Sequence, residues 1–544
     1  MKILHGIAAA PGLVIGSAFV IRPARPVDIM EKKAGDTALE VQRLEQAIAQ
    51  GIAHLNTLLD SASGSLSDML ITQKEMLDDP ELQQNATQLI TDGFAAEAAI
   101  TRVATEYADQ LANLPDPYLA ARADDVREVS RRIVARLRST PLEIHLDKAA
   151  IIIAQDLSPS ETIELNPALL QALVTEAGSA TGHLAIVAQG LGIPGVVGVS
   201  DALETISDGT LLIVDGEAGT ITLDPDSAQR AEAERRIVAA QQNKHMLRTY
   251  RDQQGLTADG IHIEVFANIG SLAEAQKAVE MGAEGIGLFR TEFIATRGLP
   301  AEEKQYTLYE KVAAIVQKPL VVRTFDIGAD KPVAGLDLLE EANPFLGWRG
   351  IRMGLDRPKE VFLPQIRALL RISSPCDLRI MLPMVTVPQE VIDARKLIDQ
   401  AREDLQREGF QVHPVQLGIM VETPAAAITL DRFKGLIDFA SIGTNDLTQY
   451  TYAVDRTNAR VRERAKPLGI AMLRLIAQIC ITGIPVAVCG QLASNVDAIP
   501  LLVGLGVREL SVAPVSVPLV KHLLTTMTVE EMQERAQQAL VCSY

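Results

Sequence analysis

Cysteine is scarce in this chain: Cys376, Cys480, Cys489 and Cys542 are all there are in 544 residues, and no two are spaced as CxxC. That sparseness suits a reducing cytoplasm better than a disulfide framework. Long apolar runs are missing as well, and no segment has the length and apolarity to span a bilayer. The opening MKILHGIAAAPGLVIG is broken by Pro11 and Gly12 and is read as the first strands of a fold, not as a signal peptide. Positive charge is in deficit, with 51 Lys and Arg against 69 Asp and Glu and a net charge of −18. This balance argues against general binding to nucleic acid or anionic membranes, while a local basic cluster can still hold a small anion. What is present, 47% apolar and 22% charged residues, is the composition of a globular cytoplasmic protein too long for one core.

The pattern changes along the chain. Residues 1–22 alternate small and β-branched residues around glycines, as short strands do. From about 36 to 139, apolar residues recur at three- and four-residue spacing in LEVQRLEQAIAQGIAHLNTLL, MLITQKEM, ELQQNATQLI and DDVREVSRRIVARLR, broken at DDP and LPDP. A bundle of about four helices is expected. Strands return from 150, so the first and third regions are expected to pair as one small α/β domain with the bundle inserted. Residues 226–253 are polar and helix-prone, a helical linker. Beyond them come eight short apolar runs: IHIEVFAN, EGIGLFRTE, LVVRTFDIG, LRIMLPMV, QLGIMVET, DFASIGTND, PVAVCGQ and RELSVAP. Helical stretches separate them, which predicts a (β/α)8 barrel.

Polar residues close nearly every one of those runs: Asn268, Arg290 with Glu292, Arg323 with Asp326, Glu422, Asn445 with Asp446, and Cys489 with Gln491. In such a barrel these ends converge on one mouth, where active sites lie. Glu422 and Asp446 are either salt-bridge partners or hard oxygen ligands for Mg²⁺. The cations Arg290, Arg323, Lys331, Arg349 and Arg456 suit a multiply charged anion bearing phosphate and carboxylate. Cys489 is either a small buried apolar residue or a thiol acid or nucleophile. The glycines of GTND and CGQ are expected to leave room for a ligand near the backbone. Trp348, the only tryptophan, is expected to pack beneath the site.

Residues 176–198, EAGSATGHLAIVAQGLGIPGVVG, contain the literal spelling G-x-G-x-x-G. A dinucleotide fingerprint follows a strand and opens a helix; here HLAIVAQGLG reads as a helix ended by its glycines, with a strand after it, so the match is spurious. His183 is another matter. It follows Gly178-Ser179-Ala180-Thr181-Gly182 at a helix start, where free backbone N–H groups favour an anion. It is either a capping histidine or an acceptor for a phosphoryl group, with Thr181 orienting the ring.

Taken together, these motifs resemble phosphoenolpyruvate-protein phosphotransferase, enzyme I of the bacterial sugar phosphotransferase system. The likeness runs through GIAAAPGLVIG, DLSPSETIEL, the TGH stretch, GLFRTEF, RTFDIGADK, NPFLGWRGIR, MVETPAAA and SIGTNDLTQYTYAVDR, and the bundle segment PYLAARADDVREVSRRI resembles that family's carrier-binding subdomain. The resemblance implies a swivelling phosphohistidine α/β domain (1–30 and 140–225), a helical HPr-binding subdomain (31–139), the linker (226–253) and a phosphoenolpyruvate-binding, dimerising (β/α)8 barrel (254–544). It implies His183 as the phosphorylated residue, Mg²⁺ on Glu422 and Asp446, and substrate held by Arg290, Arg323, Arg456, Asn445 and Asp446. Cys489 becomes the proton donor to the enolate, the phosphocarrier HPr the acceptor, and the protein a cytoplasmic homodimer.

The chain departs from the family in places. Gly178-Ser179-Ala180-Thr181-Gly182-His183 stands where the family reads GGRTSH, without the arginine and the serine, CGQ stands where it has CGE, RTNARVRERAKPLG from Arg456 replaces the usual loop, and Thr72-Gln73 stands in the bundle where Gly-His is common. Two other readings remain open: a catalytically weakened regulatory paralogue that binds phosphoenolpyruvate or HPr, and an ATP-using pyruvate enzyme that borrows a nucleotide-binding partner.

Overall fold

The computed structural model describes residues 2–22, 36–61, 65–113, 117–138, 146–157, 161, 165–178, 183–295, 298–328, 333, 336, 341–458 and 460–542. The chain divides into two compact units, Met1–Gln241 and Gln242–Tyr544.

In the first unit, eight strands form one sheet: β1 (Lys2–His5), β2 (Ile7–Ala10), β3 (Leu13–Ile21), β4 (Ala150–Ala154), β5 (Leu170–Thr175), β6 (Gly195–Val197), β7 (Leu211–Asp215) and β8 (Thr220–Leu223). Their order is β1-β8-β7-β3-β4-β5-β6-β2. β3 runs parallel to β4, with Ala18 opposite Ile151, and β2 runs antiparallel to β6, with Ile7 opposite Val197. Strands from both sides of the helical region therefore share this sheet. β4 reads AIIIA and is buried throughout. Ile151 and Ile153 enter one core while Ile152 and Ala154 enter a second, the period-2 alternation of a strand covered on both faces. Helix α6 (His183–Leu191) ends at Gly192, whose φ is +68°, and β6 follows. That order, helix then strand, removes the dinucleotide fingerprint.

Between β3 and β4 lie α1 (Thr37–Ser61), α2 (Ser65–Leu77), α3 (Pro80–Thr91), α4 (Ala96–Ala112) and α5 (Pro117–Leu137). The described residues thus hold five helices where the spacing suggested about four. The DDP break is a start signal: Asp79 caps α3 by accepting from the Glu81 and Leu82 amides at 2.7 and 3.2 Å, and Pro80 fills the first turn. The helix that periodicity passed over is α4. Its buried face includes Ala96, Ala98, Ala99, Ala104 and Ala108, and alanine marks an apolar stripe only weakly.

A helix α7 (Ser227–Tyr250) leads on, and the division between the units falls within it. The second unit is a closed parallel barrel of β9 (Glu264–Ile269), β10 (Ile286–Phe289), β11 (Leu320–Arg323), β12 (Leu378–Leu382), β13 (Gln416–Val421), β14 (Phe439–Ile442), β15 (Val486–Val488) and β16 (Glu509–Val512). These are the eight runs read from the sequence. Leu288, Val321, Met381, Met420, Phe439 and Cys489 pack together as an interior cluster, so the barrel is filled, not a pore. Gly418 makes room for it, since a Cβ there would lie 2.5 Å from the Phe439 ring. Outer helices turn their stripes inward; helix Pro388–Arg407 buries Val391, Ala394, Ile398, Ala401 and Leu405.

Candidate active site at the mouth of the barrel

The C-terminal ends of β11 to β15 carry the polar residues to one end of the barrel. Glu422 follows β13 and is 1% exposed. Its position is fixed on both sides. Thr423 caps the next helix by accepting from the Ala426 amide at 3.3 Å and donates its hydroxyl to the Val385 carbonyl at 2.8 Å. Glu422 Oε1 accepts from the Met384 amide at 2.7 Å, and Met384 adopts a left-handed φ of +57° to offer it, an unfavourable conformation held by its surroundings. Burial, with the nearby carboxylates of Asp446 and Asp326, pushes the Glu422 carboxyl up to about 8.

Asp446 sits in the first turn of helix Thr444–Tyr452, after β14. Its Oδ1 is buried without a hydrogen-bond partner, with Arg456 Nη1 at 3.3 Å and Arg349 Nη1 at 3.8 Å. Arg349 is 1% exposed and grips Asp326 with Nε at 3.1 Å and Nη2 at 2.8 Å. Arg323, at the end of β11, pairs with Glu292 and lies 3.4 Å from Asp326. For both arginines burial opposes the charge, but the surrounding carboxylates prevail and hold the guanidinium above its usual range. Arg290 is exposed beyond β10, its guanidinium 5.7 Å from the Phe293 ring. Asn445 is exposed and accepts from the Gln491 amide at 3.3 Å.

Cys489 lies at the end of β15, 5% exposed. Its thiol donates to the Ile442 carbonyl at 3.7 Å, and burial pushes it up to about 11, a rise tempered by the nearby Ser441 hydroxyl and Arg323 guanidinium, so it is a protonated donor at neutral pH. The glycines around it do something other than expected. A Cβ on Gly490 would meet Thr444 Oγ1 at 1.9 Å, and one on Gly443 would meet Glu422 Cβ at 3.0 Å. They let the two turns close against protein, not against ligand. Trp348 is half-buried and donates from its indole to Asp356 at 2.8 Å.

The mouth thus brings together Arg323, Arg349, Glu422, Asp446 and Arg456, with Cys489 behind them. His183 belongs to the other unit, where it opens α6; its side chain, Thr181 and Lys331 lie outside the described residues. Sequence reasoning passed over Tyr450. Its hydroxyl donates to the Phe345 carbonyl and accepts from Arg349 Nη1 at 3.4 Å, and burial pushes it up to about 12. Its position four residues after Asp446, on the same helix face, was the available signal. A cavity of about 610 Å³ adjoins it, lined in part by Phe345, Leu346, Met384, Thr423 and Gln449.

Comparison with known proteins adds three family models: the N-terminal part of PEP-utilising enzymes over residues 5–122, their mobile domain over 146–219, and their PEP-binding domain over 244–529. A phosphoenolpyruvate-protein phosphotransferase of Staphylococcus carnosus is 38% identical over 100% of this chain and 97% of its own length. The chain belongs to the phosphoenolpyruvate-protein phosphotransferase family. Other proteins of that name, from Mycoplasma capricolum (36%) and Lactococcus lactis subsp. cremoris (37%), each align over 99% of this chain and 96% of their own. Within this phosphotransferase family frame, α6 and His183 fall in the mobile-domain match, and every barrel residue named above falls in the PEP-binding match.

Proposed function

We propose that the chain moves the phosphoryl group of phosphoenolpyruvate to His183, releasing pyruvate, and then to the histidine of the phosphocarrier HPr, as the first step of the sugar phosphotransferase system. The observation that carries the reading is the buried alternation of arginine and carboxylate at the mouth, in a chain that matches proteins of this name over its whole length. Phosphoryl transfer asks chiefly for placement and charge neutralisation. Arg290, Arg323, Arg456 and Asn445 bind the phosphate and carboxylate, with Lys331 added on motif alone. Arg349, already filled by Asp326, serves from beneath. The imidazole of His183, steadied by Thr181, attacks phosphorus; an N–P bond forms as the P–O bond to the enolate breaks. The enolate carbon takes its proton from Cys489, and water returns one to the thiolate. A cytoplasmic place of work follows the family; among the described residues no helix is long and apolar enough to cross a membrane.

Mg²⁺ fits this site by two observations. Asp446 Oδ1 is buried without a hydrogen-bond donor, and Glu422 is held protonated by burial and, after it, by the like charges of Asp446 and Asp326; a divalent cation relieves both. Among the described residues no group of three or more His, Cys, Asp or Glu side chains is arranged around a metal, so Glu422 and Asp446 would share the ion with water and substrate oxygens, as Mg²⁺ commonly does. When bound, the ion withdraws charge from the transferring phosphoryl group. HPr docking on the helical bundle follows the family, as does a homodimer through the barrel. Exposed Leu346, which lines the cavity, supports the latter, with exposed Val387 and Ile428 near other lining residues.

The test is direct. Purified protein with phosphoenolpyruvate and Mg²⁺, and no nucleotide, should gain one acid-labile phosphoryl group per chain by intact mass and release pyruvate, while His183→Ala should gain none. A folded wild-type chain that takes up no phosphoryl group at any substrate concentration would favour the regulatory reading.

A further inference from the structure

The segment after Arg456 has an unusual charge. Between residues 455 and 466 stand Arg456, Arg460, Arg462, Arg464 and Lys466, against Asp455 and Glu463 only, in a protein whose net charge is −18. The segment follows helix Thr444–Tyr452 at the C-terminal end of β14 and precedes helix Ile470–Cys480, which leads to β15. It is therefore the βα connection on the mouth side of the barrel. Arg456, its first cation, reaches Asp446.

This connection is built, not loose. Asp455 turns its carboxylate onto the Thr457 amide and hydroxyl at 2.8 and 2.6 Å. Asn458 accepts from the Arg460 amide through Oδ1 and from the Arg462 amide through its carbonyl, both at 3.0 Å. Arg464 donates to the Val461 carbonyl at 2.8 Å, and Gly469 to that of Lys466 at 2.8 Å. One of the two acids is thus spent on the backbone. The side chains of Arg460, Arg462, Arg464 and Lys466 are exposed, and none pairs with a carboxylate among the described residues. Elsewhere some exposed or half-exposed cations are matched, as Lys277, Lys396, Arg402 and Arg407 are by Glu280, Asp393, Asp399 and Asp404.

We infer that the 456–466 segment is an electrostatic collar for the substrate anion. The inference rests on the proposed function. A small molecule carrying phosphate and carboxylate meets a protein of strongly negative net charge and is repelled at long range. Unmatched cations fixed at the rim reverse that sign locally and raise the anion's concentration at the mouth. Such cations act through the Debye length, about 8 Å at physiological ionic strength and several times longer in dilute buffer. Their effect therefore fades with salt, whereas direct contacts inside the site persist. Because the occupant is a small anion, the collar should work with no protein partner present.

The experiment uses the full-length chain carrying His183→Ala, so that phosphoenolpyruvate binds without reacting, and calorimetric titration with Mg²⁺ at several ionic strengths. It is repeated with Arg460, Arg462, Arg464 and Lys466 all changed to glutamine. A control instead changes Lys277, Lys396, Arg402 and Arg407, giving the same net charge away from the segment. The collar variant should bind roughly tenfold more weakly at low ionic strength and converge to within about twofold of its parent near half-molar salt, while the control stays within about twofold throughout. Equal affinity at low salt overturns the inference, as does a loss that salt does not erase or one matched by the control. Unchanged phosphoenolpyruvate binding, with impaired transfer to HPr when the same four changes are made in the chain that keeps His183, would also overturn it, making the segment a protein-docking surface. If the fourfold change unfolds the chain, the pair Arg460→Gln and Arg464→Gln is read the same way for a smaller shift. A parent that binds no phosphoenolpyruvate at any salt overturns the proposed function first, and this inference with it.

Discussion

Glu422 shows how burial among like charges changes what one carboxyl can do. Burial beside Asp446 and Asp326 raises its carboxyl from an ordinary value near 4.5 to about 8. The sign follows from linkage. The folded chain keeps this proton across a range in which the unfolded chain has released it. The resulting stabilisation is full below about pH 4.5 and is lost as pH rises through about 8. A cation bound between Glu422 and Asp446 must displace that proton. Adding Mg²⁺ to metal-free protein should therefore raise the melting temperature more at pH 8.5 than at pH 6.5. Glu422→Gln should abolish the increment at both pH values and leave the metal-free protein more stable than wild type at pH 8.5. Differential scanning calorimetry at the two pH values decides it, and an equal Mg²⁺ increment at both would remove Glu422 from the metal site. The sequence shows that a carboxylate closes β13. It does not show that Asp326 is already claimed by Arg349, because the two are 23 residues apart in the long connection after β11, and only the folding of that connection makes them neighbours.

At the level of elements, the eight barrel strands were legible because each is a short apolar run closed by a polar residue, and a parallel strand covered on both faces must be written that way. The alanine-lined α4 was less legible, because small side chains let helices approach closely while adding little apolar signal. The turns of GTND and CGQ were misread for a related reason: a glycine says that something comes near, not what. Their true contact gives a prediction. Gly490→Ala places a methyl 1.9 Å from Thr444 Oγ1 and 2.8 Å from its amide, at the start of the helix that carries Asn445 and Asp446. Backbone is not the compliant end of a flexible side chain, so one turn must shift. The change should cost about 1–3 kcal/mol in stability by denaturant unfolding. It should also slow phosphohistidine formation by an order of magnitude or more, since displacements of about 1 Å at a site can cost a hundredfold. Full activity with unchanged stability would mean that the two turns are not held against each other.

For the whole molecule, what matters is that each compact unit owns its cores. The largest core runs from Ile263 to Met532 within the barrel unit, while those of the first unit lie between residues 9 and 223. His183, the proposed acceptor, and the residues proposed to hold substrate are thus on separately packed bodies joined by one stretch of chain within α7. A unit with its own closed barrel and buried arginine–carboxylate network has what it needs to bind phosphoenolpyruvate alone, so a fragment of residues 242–544 should fold cooperatively and bind substrate with nearly the affinity of the full chain. It should not release pyruvate, because the phosphoryl acceptor is absent. Adding a separate fragment of residues 1–241 should restore the reaction, but as a second-order process. A short connection presents its two ends to each other at an effective concentration on the order of millimolar. At micromolar fragments, phosphohistidine formation should therefore run roughly a thousandfold slower than in the intact chain and rise linearly with fragment concentration. Rapid-quench measurement of the phosphorylated fragment supplies the number. A rate already equal to the intact chain at micromolar concentration would mean that the units bind each other tightly without the tether. No reaction at any concentration, with both fragments folded and substrate bound, would mean that α7 itself sets the geometry of transfer and cannot be cut.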